Sequence, residues 1–128
     1  MDIRNIGVVD LSIKRLDYLE RQQSITARNV ANADTPGYRA LRMKPFSEVL
    51  SSSSKAYAPV RTHPMHLSGT SKTAEAGVVA DRAAPMSPNG NNVVLEEQMA
   101  TAAENAANHN LATSVYKKAV SLITLPMK

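Results

Sequence analysis

Few residues in this 128-residue chain have the type and spacing that chemistry requires. His63 and His66, in the run His-Pro-Met-His, are the most suggestive. Two imidazoles this close could ligate a metal, but a zinc site also needs Cys, further His or carboxylate partners. The stretch is Pro-rich, has no carboxylate cluster beside it, and the chain has no Cys, so the pair is read as chance. His109 falls in an apolar helical stripe, where a partly buried, hydrogen-bonded core histidine that fixes register is expected. Glu96 and Glu97 are sequence neighbours and point to different sides of a helix, unlike a paired acid and base. The five glycines, at 7, 37, 69, 77 and 90, are scattered and form no phosphate-cradling loop. There is no Gly-x-Ser-x-Gly elbow. Absence of Cys removes thiolate metal sites, Cys nucleophiles and a disulfide scaffold. The expectation is no catalytic, metal or cofactor-binding residue, and no enzymatic role.

Composition points the same way. The hydrophobic fraction is 43%, yet there are only one Phe, four Tyr and no Trp, and much of the remainder is Ala. Aromatic side chains dominate most compact cores, so this chain is poorly equipped for a thick one. The net charge is +4. Residues 1–44 hold eight basic and five acidic side chains, but they alternate (Lys14, Arg15, Asp17, Glu20, Arg21) as on a solvated helix face. A nucleic-acid partner is therefore not expected; a soluble helical regulator or nucleic-acid-binding hairpin is the competing class. No segment reaches the roughly 20 apolar residues of a membrane span. The first residues also lack a secretory pattern, which by itself gives a cytoplasmic reading.

The elements follow from periodicity. Residues 9–31 read as a helix, with Val9, Ile13, Leu16, Ala27 and Val30 on one stripe and Asp10 as its cap. Asn32-Ala33-Asp34-Thr35-Pro36-Gly37 stops it: Pro36 pushes Thr35 out of helical geometry, Asp34 can bond backbone downstream, and Gly37 tolerates positive φ. Residues 45–91 hold five of the seven prolines and a Ser51–Ser54 run. They read as mostly irregular, with at most one hairpin using Gly77-Val78-Val79-Ala80. In residues 92–124, Leu95, Met99, Ala102, Ala106, His109, Thr113, Tyr116, Val120 and Ile123 follow at alternating spacings of 4 and 3, a heptad seam. Asn91 or Asn92 would cap it, and Pro126 would end it.

Both seams place small or polar residues toward the middle of the chain: Gln23 and Ala27 in one, Ala102 and Ala106 in the other. An antiparallel hairpin would set small against small and let the backbones approach. Such a seam releases little energy at about 25 cal/mol per Å², so neighbouring copies are expected to complete the burial. The fold class is mainly α: long N- and C-terminal helices pair as an antiparallel coiled coil around an irregular middle, partly β or disordered. Three segments are expected, 1–44, 45–91 and 92–128, with the first and last forming one helical domain.

Two motifs resemble the rod and hook class of bacterial flagellar axial proteins. One is Ala27-Arg28-Asn29-Val30-Ala31-Asn32-Ala33-Asp34-Thr35-Pro36-Gly37-Tyr38, closing the first helix. The other is Asn89-Gly90-Asn91-Asn92-Val93-Val94-Leu95-Glu96-Glu97-Gln98-Met99, opening the last, and it is most similar to the proximal-rod branch of that class. The resemblance implies a structural subunit whose terminal helices line a hollow axial tube. It implies as partners other copies of the chain, other rod proteins, a FliE-like adaptor, the membrane-ring protein and the type III export apparatus. It also replaces the cytoplasmic reading with the periplasmic rod of the basal body, reached without a cleaved signal peptide. The motif residues it marks are Asn29, Asn32 to Tyr38, Asn91, Asn92, Val93 and Glu96. Helix packing and assembly are assigned to Val9, Ile13, Leu16, Val30, Leu95, Met99, Ala102, Ala106, Tyr116, Val120 and Ile123.

Overall fold

The computed structural model describes residues 7–53 and 77–124. The first helix, α1, spans Gly7–Ala31, roughly 37 Å at 1.5 Å per residue. Asp10 lies inside its first turn and Arg28 in its last, each matching the helix dipole. Asp10 is thus not the cap; it pairs with Lys14 one turn on, at 2.7 Å. The last helix, α3, spans Leu95–Thr124, roughly 45 Å. Its start is three residues later than the periodicity suggests, because Asn91 and Asn92 are drawn into other bonds.

The two helices run antiparallel. Asn29 near the end of α1 bonds Gln98 near the start of α3 at 2.9 Å, and Gln23 bonds Asn105 at 3.4 Å. Between them the chain builds a short strand β1 (Leu41–Met43), a two-turn helix α2 (Phe46–Ser53) and a strand β2 (Val78–Ala80). The strands pair antiparallel, with Arg42 opposite Val79. The sequence anticipates β2 but assigns neither β1 nor α2; three-residue strands are too short to show alternation. His63, His66 and Pro126 lie outside the described residues.

α1 therefore buries two sides. Tyr18, Leu19, Ile25, Met43 and Ala112 form the core, with Leu16, Leu41, Phe46, Val49 and Val78 packed around them. Among the described residues, ring packing is confined to one point, where Phe46 of α2 meets Tyr18 edge-on at 5.4 Å. The Arg15 guanidinium lies over both rings, 5.4 Å from Tyr18 and 5.0 Å from Phe46, a cation–π arrangement. The Tyr18 hydroxyl donates to the Lys44 carbonyl at 2.8 Å. Buried hydroxyls on α1 are satisfied locally: Ser12 donates to the Val8 carbonyl and Thr26 to that of Gln22.

Candidate functional site

Where the two motifs meet, asparagines do most of the fastening. Asn29 is 1% exposed and uses its full bonding capacity. Its amide nitrogen donates to the Leu41 carbonyl at 2.7 Å and to Gln98 Oε1 at 2.9 Å. Its oxygen accepts from the Leu41 N–H at 3.0 Å and the Tyr38 hydroxyl at 3.1 Å. Toward Leu41 the side chain acts as a substitute strand, closing the outer edge of β1 with one donor and one acceptor.

Asn91 and Asn92 work from the other side. The Asn91 amide nitrogen lies 2.9 Å from each of the carbonyls of Asn32, Ala33 and Thr35. Two hydrogens serve three acceptors, so one bond is shared. Its oxygen accepts the Val93 N–H at 2.7 Å, an Asx turn before α3 rather than the cap expected from sequence. Asn92 accepts the Ala40 N–H at 2.6 Å and donates to the Asp81 carbonyl at 2.7 Å. Within the turn, bonding passes through Asn32 and Thr35: the Thr35 N–H donates to the Asn32 carbonyl and its hydroxyl to Asn32 Oδ1. Asp34 is exposed and makes none of these bonds. Gly37 and Gly90 both have positive φ, 73° and 79°, and a Cβ on Gly90 would sit 3.4 Å from the Gly37 Cα. The two turns thus pass backbone against backbone, held by the Gly37 N–H to the Asn89 carbonyl at 2.9 Å.

Among the described residues no buried side-chain nitrogen or oxygen lacks a hydrogen-bond partner. Burial raises the Tyr38 hydroxyl pKa above its usual value, against the pull of Arg28; burial likewise raises Tyr18, against Arg15. Of the motif residues, Asn29, Asn32, Ala33, Thr35, Gly37, Tyr38, Asn91, Asn92 and Val93 enter this joint. Pro36 and Glu96 are exposed, Glu96 in the first turn of α3.

The stripes separate along a different line. Val9 is buried, and Ile13, Leu16, Ala102, Tyr116 and Val120 are half-buried. Val30, Leu95, Met99, Ala106, His109 and Ile123 are exposed. The face of α3 turned to α1 runs instead through Gln98, Asn105 and Ala112, one position away from the apolar seam. The cause is local. Asn29 holds Gln98 and Gln23 meets Asn105, which sets the rotation of α3 so that polar residues face inward, each with a partner. Sequence reading favours the largest apolar side chains for an interior, so it passes over this line; its signal is the seven-residue spacing of Gln98, Asn105, Ala112 and Ala119. Sequence reading also missed Tyr18, Leu19, Ile25 and Phe46, although Ser12, Leu19 and Thr26 share the same repeat.

The small residues Ala102 and Ala106 do not lie on the line that faces α1; they border a groove beside it. Leu19, Gln23, Ala102, Asn105, Ala106 and His109 line an open cleft of about 440 Å³ between the helices. His109 stands at this cleft, not in a core. Among the described residues, no three His, Cys, Asp or Glu side chains are placed to hold a metal ion. No helix among them is long and apolar enough to cross a membrane.

Comparison with known proteins bears on the same segments. A family model described as "Flagella basal body rod protein" matches residues 13–39, most of α1 and its closing turn. The chain is 30% identical over 127 residues to the flagellar basal body rod protein FlgB of Agrobacterium fabrum, covering 96% of this chain and 94% of that one. It is 29% identical over 126 residues to FlgB of Borreliella burgdorferi, at 90% and 93% coverage. With FlgB of Bacillus subtilis the identity is 28% over 103 residues, at 80% and 79%. Similarity at 30% identity over nearly the whole of both chains, with the family model falling on α1 and the turn of the asparagine joint, decides the family: the chain belongs to the flagellar basal body rod protein FlgB family.

Proposed function

We propose that the chain is a proximal subunit of the flagellar rod, built to be completed by its neighbours through α1 and α3. Membership in a family of structural rod components supports a scaffolding role without catalysis. The observation that carries the assembly reading is the apolar surface left on the helices. Val8, Leu11, Val30, Leu95, Met99, Leu111, Val115, Leu122 and Ile123 are all exposed, apolar surface on both long helices that neighbouring subunits would cover. In this reading Leu95 and Met99, beside the joint, meet an adjacent subunit of the tube. Other copies, other rod proteins, the FliE-like adaptor and the membrane ring are the expected neighbours, reached through the type III export apparatus.

The test uses Leu95→Asp combined with Met99→Asp in a strain lacking the native gene. Both positions are exposed, so the purified variant should keep the wild-type helical content and melting temperature. Swimming and recovery of rods in basal-body preparations should be lost. A strain that swims normally with this variant would refute the assignment of these residues.

A further inference from the structure

The outer side of α3 carries a second pattern, centred on Leu111. At offsets of 4, 7 and 11 residues toward the N-terminus stand Ala107, Glu104 and Ala100; at the same offsets toward the C-terminus stand Val115, Lys118 and Leu122. All are exposed, Leu111 and Leu122 by 64% and 65%. They fall within about 80° of the helix circumference, centred about 120° from the α1-facing line. Partnering α1 therefore leaves this stripe free.

From this symmetry we infer that two copies of the chain pair through α3 in an antiparallel, two-fold dimer centred on Leu111. A two-fold axis there sets Leu111 on Leu111, Glu104 against Lys118, Ala107 against Val115 and Ala100 against Leu122. Acid meets base twice, and each small residue meets a larger one, the condition for interdigitation at a short interaxial distance. The charge on α3 as a whole agrees. Glu96, Glu97 and Glu104 occupy its first half, and Lys117 and Lys118 its second. Antiparallel alignment joins unlike halves and opposes the dipoles, whereas parallel alignment in register sets Glu104 beside Glu104. Glu104 and Lys118 take no part in the two ion pairs among the described residues, which join Lys14 to Asp10 and Lys44 to Glu48. The offsets of 4, 7 and 11 correspond to about 3.67 residues per turn, so nearly straight helices stay in contact along the stripe.

Such a pair is isologous and closed, and it cannot propagate into a filament. It would hide Leu111, Val115 and Leu122 in subunits outside a polymer. The inference rests on α3 alone, so a monomeric chain would leave the rod reading untouched.

The chain has no Cys, which permits a direct test on the full-length protein. Helix axes 8–10 Å apart with Cα atoms at a radius of about 2.3 Å put facing Cα atoms roughly 3.5–5.5 Å apart, overlapping the disulfide range. Leu111→Cys should therefore form a disulfide dimer on mild oxidation, and Ala103→Cys, exposed outside the stripe, should not. In sedimentation velocity without any Cys, Glu104→Lys should weaken the dimer about fivefold, and adding Lys118→Glu should restore it. A wild-type chain that stays monomeric to ~100 μM, equal crosslinking at positions 103 and 111, or failure of the double charge swap would each overturn the proposal.

Discussion

The two ends of the helical hairpin are finished differently. At the joint, where α1 ends and α3 begins, Asn29, Asn91 and Asn92 are each no more than 2% exposed. Each ties backbone groups of a turn or strand that no regular ladder reaches. At the far end α1 still buries Val9 and Ser12, but α3 offers only half-buried Thr113, Tyr116, Ala119 and Val120, with Val115, Leu122 and Ile123 exposed. On this side Phe46 of α2 meets α1 at Arg15 and Tyr18. The joint is bonded within one chain; the far end is a pair of helices with apolar flanks uncovered. Polar fastening fixes geometry without needing a thick core, so a chain with little aromatic mass can still set the angle and rotation of two long helices. The surface it leaves apolar then serves contacts between chains.

The contrast is open to attack, beginning with the largest effect. Asn29→Ala removes four hydrogen bonds and strands the N–H and carbonyl of half-buried Leu41. A loss of roughly 2–5 kcal/mol is expected in urea unfolding, a large share of the stability of a small domain. Asn29→Asp, similar in shape but without the amide donor, should also destabilise strongly; a near-neutral Asp would show that volume rather than bonding matters at the joint. Gly77→Ala ranks next. Its φ is 91°, and a Cβ would approach Val49 Cγ2 to 2.9 Å, so thermal melting should show a loss of about 1–3 kcal/mol. Were the loss no larger than for an ordinary surface change, the packing of α2 against β2 would be looser than described.

A smaller effect is set by pH. Tyr18 and Tyr38 have raised pKa values in the folded state, so the folded chain holds these protons more tightly than the unfolded one. Their contribution is fully present below the ordinary tyrosine pKa of about 10 and is lost as pH rises through the folded values. Stability should therefore fall on the alkaline side. Tyr38→Phe should cost about 1 kcal/mol at neutral pH, through the lost bond to Asn29, and should flatten that fall. An alkaline limb unchanged in Tyr38→Phe would remove Tyr38 from the account. The smallest effect belongs to the uncovered surface: Leu95→Asp with Met99→Asp should change monomer stability by no more than about 0.5 kcal/mol. A large loss there would mean that these side chains already serve the single chain.

Much of this was legible in the residues. The period of α1 and α3, the stop at Asn32 to Gly37 and the antiparallel pairing all follow from spacing and turn chemistry. The rotation of α3 did not. Heptad reading assigns the interior to Leu95, Met99 and Ile123, yet a bonded Gln98 or Asn105 costs little to bury once Asn29 and Gln23 are opposite. That information lies in pairs far apart in sequence. The bonds of Asn91 likewise reach back to the turn at 32–35, so local rules made it a helix cap. β1 was hidden for a related reason: its outer edge is closed by the Asn29 side chain, which no strand pattern encodes.

The central claim is that one end of the hairpin is fastened by hydrogen bonds within the chain, whereas the other has no such fastening among the described residues and relies on neighbours. Native-state amide exchange on the dilute monomer tests it most directly. The account predicts the slowest exchange at α1 residues 18–31 and α3 residues 98–112, with protection falling away toward Gly7 and Thr124. Strong and uniform protection along the whole of both helices, at concentrations too low for association, would contradict it.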